Sequence, residues 1–212
     1  MRKILSFLLV SLIGVSAWAQ KNAPSIPFYI VKEEGDQTTM DVNPGDKLVY
    51  AVDAGGQQYD FVVTYRSYSS KGIQFDYEMT APASKSGNVI IGEKGCNSAR
   101  KYVNYFRGGE MVLDDACTVW LCYANFMDMP MRETKMQLDN NPEEIFYRPQ
   151  KDEVRPVVDF KGMPVKLDGF IVRNAKDESA SRTLWVMNSS ANPLILHMDL
   201  GWKITLKAIR KG

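Results

Sequence analysis

Histidine is almost missing from this sequence, and its scarcity limits the chemistry that the chain can perform. His197 is the only histidine among 212 residues, so a nucleophilic triad or a histidine-containing metal site would have to use it. In a regular strand His197 shares one face with Ile195 and Asp199. We interpret it as a solvated or lightly packed side chain beside an acid, because the sequence also lacks the G-x-S-x-G, H-E-x-x-H, P-loop and EF-hand patterns.

The sequence also lacks an excess of charge of either sign. It contains 26 basic and 25 acidic side chains, and no run of like charges suggests a patch for a membrane surface. Because nucleic-acid phosphates demand a basic protein surface, this near-neutral balance argues against a nucleic-acid partner. No sequence feature predicts a cofactor or a metal.

Only one long apolar run is present, and it stands at the start of the chain. Arg2 and Lys3 precede an apolar stretch over residues 4–15, and Ala17-Trp18-Ala19 fits the small-x-small cleavage rule. These features predict a signal peptide over residues 1–19, cleaved before Gln20. The run is too short for a membrane anchor and is followed by polar sequence, so the mature chain has no predicted transmembrane segment. The expected location is periplasmic or extracellular.

The mature chain, residues 20–212, has the length of one domain rather than two. It contains no long amphipathic helical pattern. Instead, residues 57–66 and 73–80 alternate apolar and polar side chains with a period of two, which predicts strands with one buried face. Short Gly- and Ser-containing connections favour an antiparallel meander. We predict a mostly β single domain: a strongly curved antiparallel sheet, half-barrel or barrel, with one or two short helices.

Cysteine is scarce as well, with only Cys96, Cys117 and Cys122 in the chain. In an oxidising compartment three cysteines predict one disulfide and one buried thiol. If Cys117 and Cys122 lie in one strand, their odd spacing directs them to opposite faces, which disfavours a bond between them. We therefore predict a disulfide between Cys96 and Cys117, with Cys96 to Cys122 as the alternative.

Aromatic side chains concentrate on one face of the predicted meander, and this face needs a cover that no long helix supplies. A methionine-rich segment, residues 127–136, is a candidate lip, because methionine adapts to irregular apolar surfaces. The alternative is that these side chains fill the core. Under the first interpretation, the predicted ligand-binding residues are Tyr59, Phe61, Phe75, Tyr77, Met127 and Met129.

Two acidic groups allow alternative functions. Asp114 and Asp115 would supply half of a glycosidase carboxylate pair, and residues 139–144 gather oxygen ligands of the kind that Ca²⁺ prefers. The spacing of the second group fits no established calcium loop. A turn is the simpler interpretation of both groups, so we predict no catalytic residues.

The two ends of the mature chain carry a resemblance. Leu184-Trp185-Val186, the run 192–196, Gly201-Trp202 and Ile204-Thr205-Leu206 resemble the C-terminal end of uncharacterised exported β-rich proteins of Gram-negative envelopes. With Gly45-Asp46-Lys47-Leu48-Val49-Tyr50, the pattern is similar to periplasmic families that share the architecture of the lipoprotein-carrier half-barrel. The resemblance implies a bent antiparallel sheet around an apolar interior, and it implies no catalytic residues.

These observations favour a non-enzymatic envelope protein that binds a lipid, another amphipathic ligand or an exported polypeptide. A second hypothesis is an extracellular glycan- or protein-binding module that uses exposed aromatics such as Trp120 or Trp185. A third is a hydrolase built on paired carboxylates. Fold class does not decide among the three.

Overall fold

A computed structural model describes residues 23–31, 37–81, 83–150, 153–176 and 182–212. The predicted signal peptide and its cleavage site lie outside these residues. The described part is mostly β, with one curved sheet nearly closed into a barrel and two helices of six residues each, which confirms the predicted fold class. None of its helices has the length and apolar character needed to cross a membrane.

The strands of the N-terminal half are β1 Ile26–Val31, β2 Gln37–Val42, β3 Lys47–Ala54, β4 Gln57–Ser69, β5 Gly72–Met79, β6 Lys85–Gly92, β7 Lys101–Tyr102, β8 Gly109–Leu113 and β9 Ala116–Cys117. Those of the C-terminal half are β10 Thr134–Leu138, β11 Glu143–Tyr147, β12 Glu153–Val154, β13 Val157–Phe160, β14 Met163–Leu167, β15 Gly169–Asn174, β16 Arg182–Met187, β17 Ile195–Leu200 and β18 Lys203–Arg210. The helices are α1 Glu93–Ser98 and α2 Tyr123–Asp128.

Two antiparallel meanders form most of the barrel wall. β3 to β6 pair in sequence order, and β15 to β18 do the same. The meanders join where β18 pairs with β3, with Leu206 opposite Tyr50. The tight β3–β4 turn places Gly55 and Gly56 at positive φ, a conformation that glycine adopts without steric cost.

Parallel pairings bring the barrel close to closure. β6 pairs in parallel with β8, and after a break at Asp114 and Asp115 the chain continues as β9, which pairs in parallel with β7. β7 pairs in parallel with β10, which pairs with β11, and β11 pairs with β15. β8 has no described partner on its side away from β6. We call the gap between β8 and residues 103–108 the seam.

Aromatic side chains from both meanders and from the loops between them fill the barrel. Trp120, fully buried, packs against Phe75 at 5.6 Å and Tyr68 at 6.1 Å between ring centroids. Its indole N–H donates to the side-chain oxygen of buried Asn192 at 2.9 Å. Burial of each such side chain stabilises the fold by roughly 1.5–3 kcal/mol relative to leaving it exposed.

The predicted disulfide is wrong, because Cys96, Cys117 and Cys122 are all free and buried. Each thiol is directed at a different carbonyl oxygen: Cys96 at that of Ile91 (3.8 Å), Cys117 at that of Trp120 (3.1 Å) and Cys122 at that of Ala99 (3.1 Å). Neither the predicted Cys96–Cys117 disulfide nor the Cys96–Cys122 alternative therefore forms. Each thiol instead contacts its own backbone carbonyl.

The strand that would have separated Cys117 from Cys122 does not form either. β9 ends at Cys117, and the chain turns at Val119, whose φ is 62°. Burial raises the pKa of Cys117 well above its ordinary value, and the nearby Cys122 and Cys96 raise it further. The two cysteines that the spacing argument placed on opposite faces thus lie close enough to affect one another electrostatically.

Candidate functional site

An apolar cleft opens at the end of the barrel that carries the β3–β4 and β17–β18 turns. Its empty volume, mouth included, is about 500 Å³, of which about 50 Å³ admits the centre of a water-sized sphere. A single such sphere needs about 10–15 Å³ by this measure, so the cleft has room for a few water-sized groups. Its lining includes Tyr59, Phe61, Met79, Phe106, Trp202 and Ile204.

Residues 103–108 run along one side of the barrel, and Asn104 and Phe106 of this segment form one wall of the cleft. Phe106 packs against Phe61 at 4.6 Å and against Tyr77 at 4.8 Å between ring centroids. The backbone N–H of Gly108 donates to the Tyr77 hydroxyl at 2.8 Å. The segment is therefore held over the aromatic face of β4 and β5 and leaves only the outer part of that face open.

Few polar groups reach the cleft, and the best placed are already held by other residues. The Asp139 carboxylate accepts hydrogen bonds from the Asn104 backbone N–H at 2.6 Å and from its side-chain amide at 3.3 Å. The Tyr50 hydroxyl donates to the Ile195 carbonyl at 3.0 Å, and burial raises the pKa of Tyr50 far above its ordinary value. Tyr50 therefore stays neutral at physiological pH, and the cleft is suited to apolar groups.

A polar groove continues from the mouth of the cleft along the outside of the barrel. The two share Val52 and Tyr59 in their linings, and the groove has an empty volume of about 950 Å³, including space open to solvent. Its charged lining residues are Asp53, Asp60, Lys203 and Lys207. Lys207 reaches Asp60 at 3.4 Å, and both side chains are about half exposed, so water screens this pair. The apolar cleft and the charged groove together form one amphipathic surface.

The structure brings together only some of the predicted ligand-binding residues. Tyr59, half-buried, and Phe61 line the cleft. Phe75 and Tyr77 are almost fully buried in the core. The remaining two, Met127 and Met129, lie at the end of α2 and do not line the cleft; the first is exposed and the second is buried.

Several cleft residues were not predicted from the sequence. Asn104 and Phe106 come from an irregular loop, and Trp202 and Ile204 come from the last turn and β18. The dipeptide Gly201-Trp202 offers a weak signal, because a large aromatic directly after a turn glycine stands at the end of a sheet. Residues 103–108 carry no such signal.

His197 does not lie in the cleft. Its ring stacks on Trp185 at 4.5 Å, and its Nδ1 lies 2.7 Å from the Thr205 hydroxyl. Burial lowers the pKa of His197, although Asp199 partly opposes this effect. A bulge opposite Trp185 and Val186 places Ile195 in the cleft and His197 away from it. Ile195 therefore does not share the face of His197 as expected, whereas Asp199 remains in regular register with it.

The residues considered for glycan binding, carboxylate catalysis and calcium binding do not line the cleft. Trp120 is fully buried and cannot act as a stacking platform. Trp185 is half-buried, and His197 covers one face of its ring. Asp114 and Asp115 are exposed beside the seam. In the acidic segment 139–144, the candidate calcium site, Glu144 forms an ion pair with Arg182 at 2.9 Å. No group of histidine, cysteine or acidic residues within the described ranges is arranged to hold a metal ion.

No family model, curated protein or solved structure matches this chain. The resemblance to exported envelope proteins therefore stays a prediction, and the function rests on the site itself.

Proposed function

We propose that this protein is a non-enzymatic binding protein of the bacterial envelope that takes the apolar end of an amphipathic ligand into its cleft. The observation that supports the proposal is the continuity of an apolar cleft with a charged groove through Val52 and Tyr59. The predicted signal peptide supports the location. The ligand class is one apolar chain, from a lipid or an exported polypeptide, joined to a polar or charged portion.

The size of the cleft limits how much of the ligand is enclosed. With room for a few water-sized groups, it accommodates the last few carbons of an acyl chain or one apolar side chain. Burying about four methylene groups contributes roughly 3 kcal/mol. The rest of the ligand would lie along the groove, where Lys203 and Lys207 stand opposite Asp53 and Asp60. Binding of a complete lipid inside the barrel is not expected.

Trp202 provides a direct test, because it is the tryptophan that lines the cleft, whereas Trp120 is in the core and Trp185 stacks on His197. A single-chain amphiphile brominated near its terminal methyl is titrated into the mature protein. Bromine in the cleft quenches Trp202, and the saturable quenching disappears in Trp202→Phe. Unchanged fluorescence at saturating amphiphile, or equal quenching in Trp202→Phe, would contradict the proposal.

The same titration is made with Ile204→Asp, which places a charge at the mouth of the cleft. Ile204 is half-buried and lines the cleft; Val165 on β14 is also half-buried but lies outside it. We expect Ile204→Asp to weaken binding by about tenfold or more, since an unpaired charge near the apolar chain costs well over 1.4 kcal/mol. Val165→Asp serves as the matched control and should leave the affinity unchanged.

A further inference from the structure

β8 presents an unpaired backbone edge at the seam. Its five residues pair with β6 on one side, from Gly109 opposite Gly87 to Leu113 opposite Ile91. No other backbone hydrogen bond to Gly109–Leu113 occurs among the residues that the structure describes. A parallel strand bonded on one side leaves alternate N–H and C=O groups directed away from its partner. Those groups of β8 face the seam.

The seam is a groove rather than a closed contact. It has an empty volume of about 1090 Å³, including space open to solvent, and runs between β8 and the opposite wall formed by residues 103–108, with Lys101 at one end. Val112, on the β8 side, is 54% exposed, and Tyr105, on the other, is 37% exposed. The Arg107 guanidinium lies 5.2 Å from the centre of the Tyr105 ring. Both walls therefore offer apolar surface to an occupant.

Charge is distributed unevenly along the seam. At the end nearest Gly109, Arg107 and Glu110 balance one another. At the other end there are two negative charges, on Asp114 and Asp115, and one positive charge, on Lys101. Lys101 lies at this end because its backbone pairs with Ala116, the residue after Asp115. All three carboxylates of the seam are exposed, and no ion pair to them occurs among the described residues. The end near β9 is thus complementary to a basic side chain.

We propose that the seam binds an extended segment of a partner polypeptide, which adds as a strand to the free edge of β8 and places a basic residue beside Asp114 and Asp115. A row of free backbone groups in β conformation is matched in hydrogen-bonding pattern by another strand, which is the basis of recognition by strand addition. Proteins usually protect such edges with lysine, proline or a covering segment. β8 contains neither lysine nor proline, and its one charged side chain is Glu110. The added strand occupies the gap in the barrel wall.

The experiment uses short random peptides displayed for selection against the mature protein, followed by synthesis of the enriched peptides. We expect these peptides to be extended, to carry lysine or arginine, and to protect the β8 backbone amides from hydrogen exchange. Replacing Asp114 and Asp115 by asparagine should lower peptide affinity by about two- to fivefold for each carboxylate removed, and added salt should reduce the difference.

A matched pair of variants localises the binding. Val112→Lys changes an exposed valine at the free edge, whereas Val157→Lys changes a 62% exposed valine on β13, which pairs on both sides with β14 and β18. Loss of affinity of at least tenfold in the first variant alone supports the proposal. Peptides that bind both variants equally, that leave β8 amides unprotected, or that fail to be selected would overturn it. Protection of β8 by self-association of the chain, detected by sedimentation, would also overturn it.

Discussion

At the scale of single residues, Asn192 joins three parts of the chain that are distant in sequence. It is fully buried, accepts a hydrogen bond from the indole of Trp120 and donates one to the Pro27 carbonyl at 3.1 Å. Beside it, the backbone N–H of Leu121 donates to the Pro193 carbonyl at 2.9 Å. A buried polar network of this kind contributes to stability only while its donors remain satisfied.

We expect Asn192→Ala to lower the free energy of unfolding by about 3 kcal/mol, because the buried Trp120 N–H loses its acceptor and a cavity remains. Urea denaturation of the mature protein measures this change. Asn140→Ala is the control, since Asn140 is exposed in the β10–β11 turn, and its effect should stay within about 0.5 kcal/mol. Equal destabilisation by the two substitutions would show that Asn192 has no special role.

The three thiols give a second prediction at this scale. Burial raises the pKa of Cys96 to about 11 and also raises the pKa values of Cys117 and Cys122. Since the thiolate is the reactive form, the folded protein should react with a thiol reagent at pH 8 only as fast as it unfolds. In denaturant without a reductant, all three thiols should react. A smaller number would reveal a disulfide, and rapid reaction of the folded protein would show that the thiols are accessible.

At the scale of elements, the regular strands could be predicted from the sequence, but the connections between them could not. The alternation of apolar and polar residues predicted strands at residues 57–66 and 73–80, close to β4 and β5. This prediction works because successive side chains of a strand point to opposite faces of the sheet. β7 and β9 have two residues each and no pattern of their own. Their positions depend on contacts with distant strands, and local propensity contains no information about those contacts.

The close approach of β6 and β8 is an element-scale feature with a direct test. A Cβ atom on Gly87 would lie 1.9 Å from the Gly109 carbonyl oxygen and 2.8 Å from the Tyr77 hydroxyl. We expect Gly87→Ala to destabilise the protein by about 3 kcal/mol through overpacking, and to accelerate hydrogen exchange in β8. The measurements are urea denaturation and amide exchange.

Gly92→Ala is the matched control on the same strand. Its added Cβ meets the nearest atoms of Asp114 at 3.5 Å, an ordinary van der Waals contact. Unfolding free energy and β8 exchange should therefore remain near their original values. If Gly87→Ala behaves in the same way as this control, the β6–β8 contact is looser than described.

At the scale of the whole molecule, the chain covers most of its own aromatic face. The sequence predicted a curved sheet whose aromatic side needed a cover, because soluble proteins rarely expose a large contiguous apolar surface. The cover consists of Phe106 and Trp120, which lie in irregular segments between strands. The candidate site is therefore smaller than expected and lies at the barrel end, where Tyr59 and Phe61 remain beside Trp202.

The central claim is that the barrel-end cleft binds the apolar end of an amphipathic ligand. Native mass spectrometry of the protein, purified gently from the cells that naturally produce it, tests this claim most directly. The account predicts a mass excess that organic extraction releases as an amphiphile, and its loss in Ile204→Asp but not in Val165→Asp. A bare protein mass for the unsubstituted chain, or a ligand retained equally by both variants, would contradict the account.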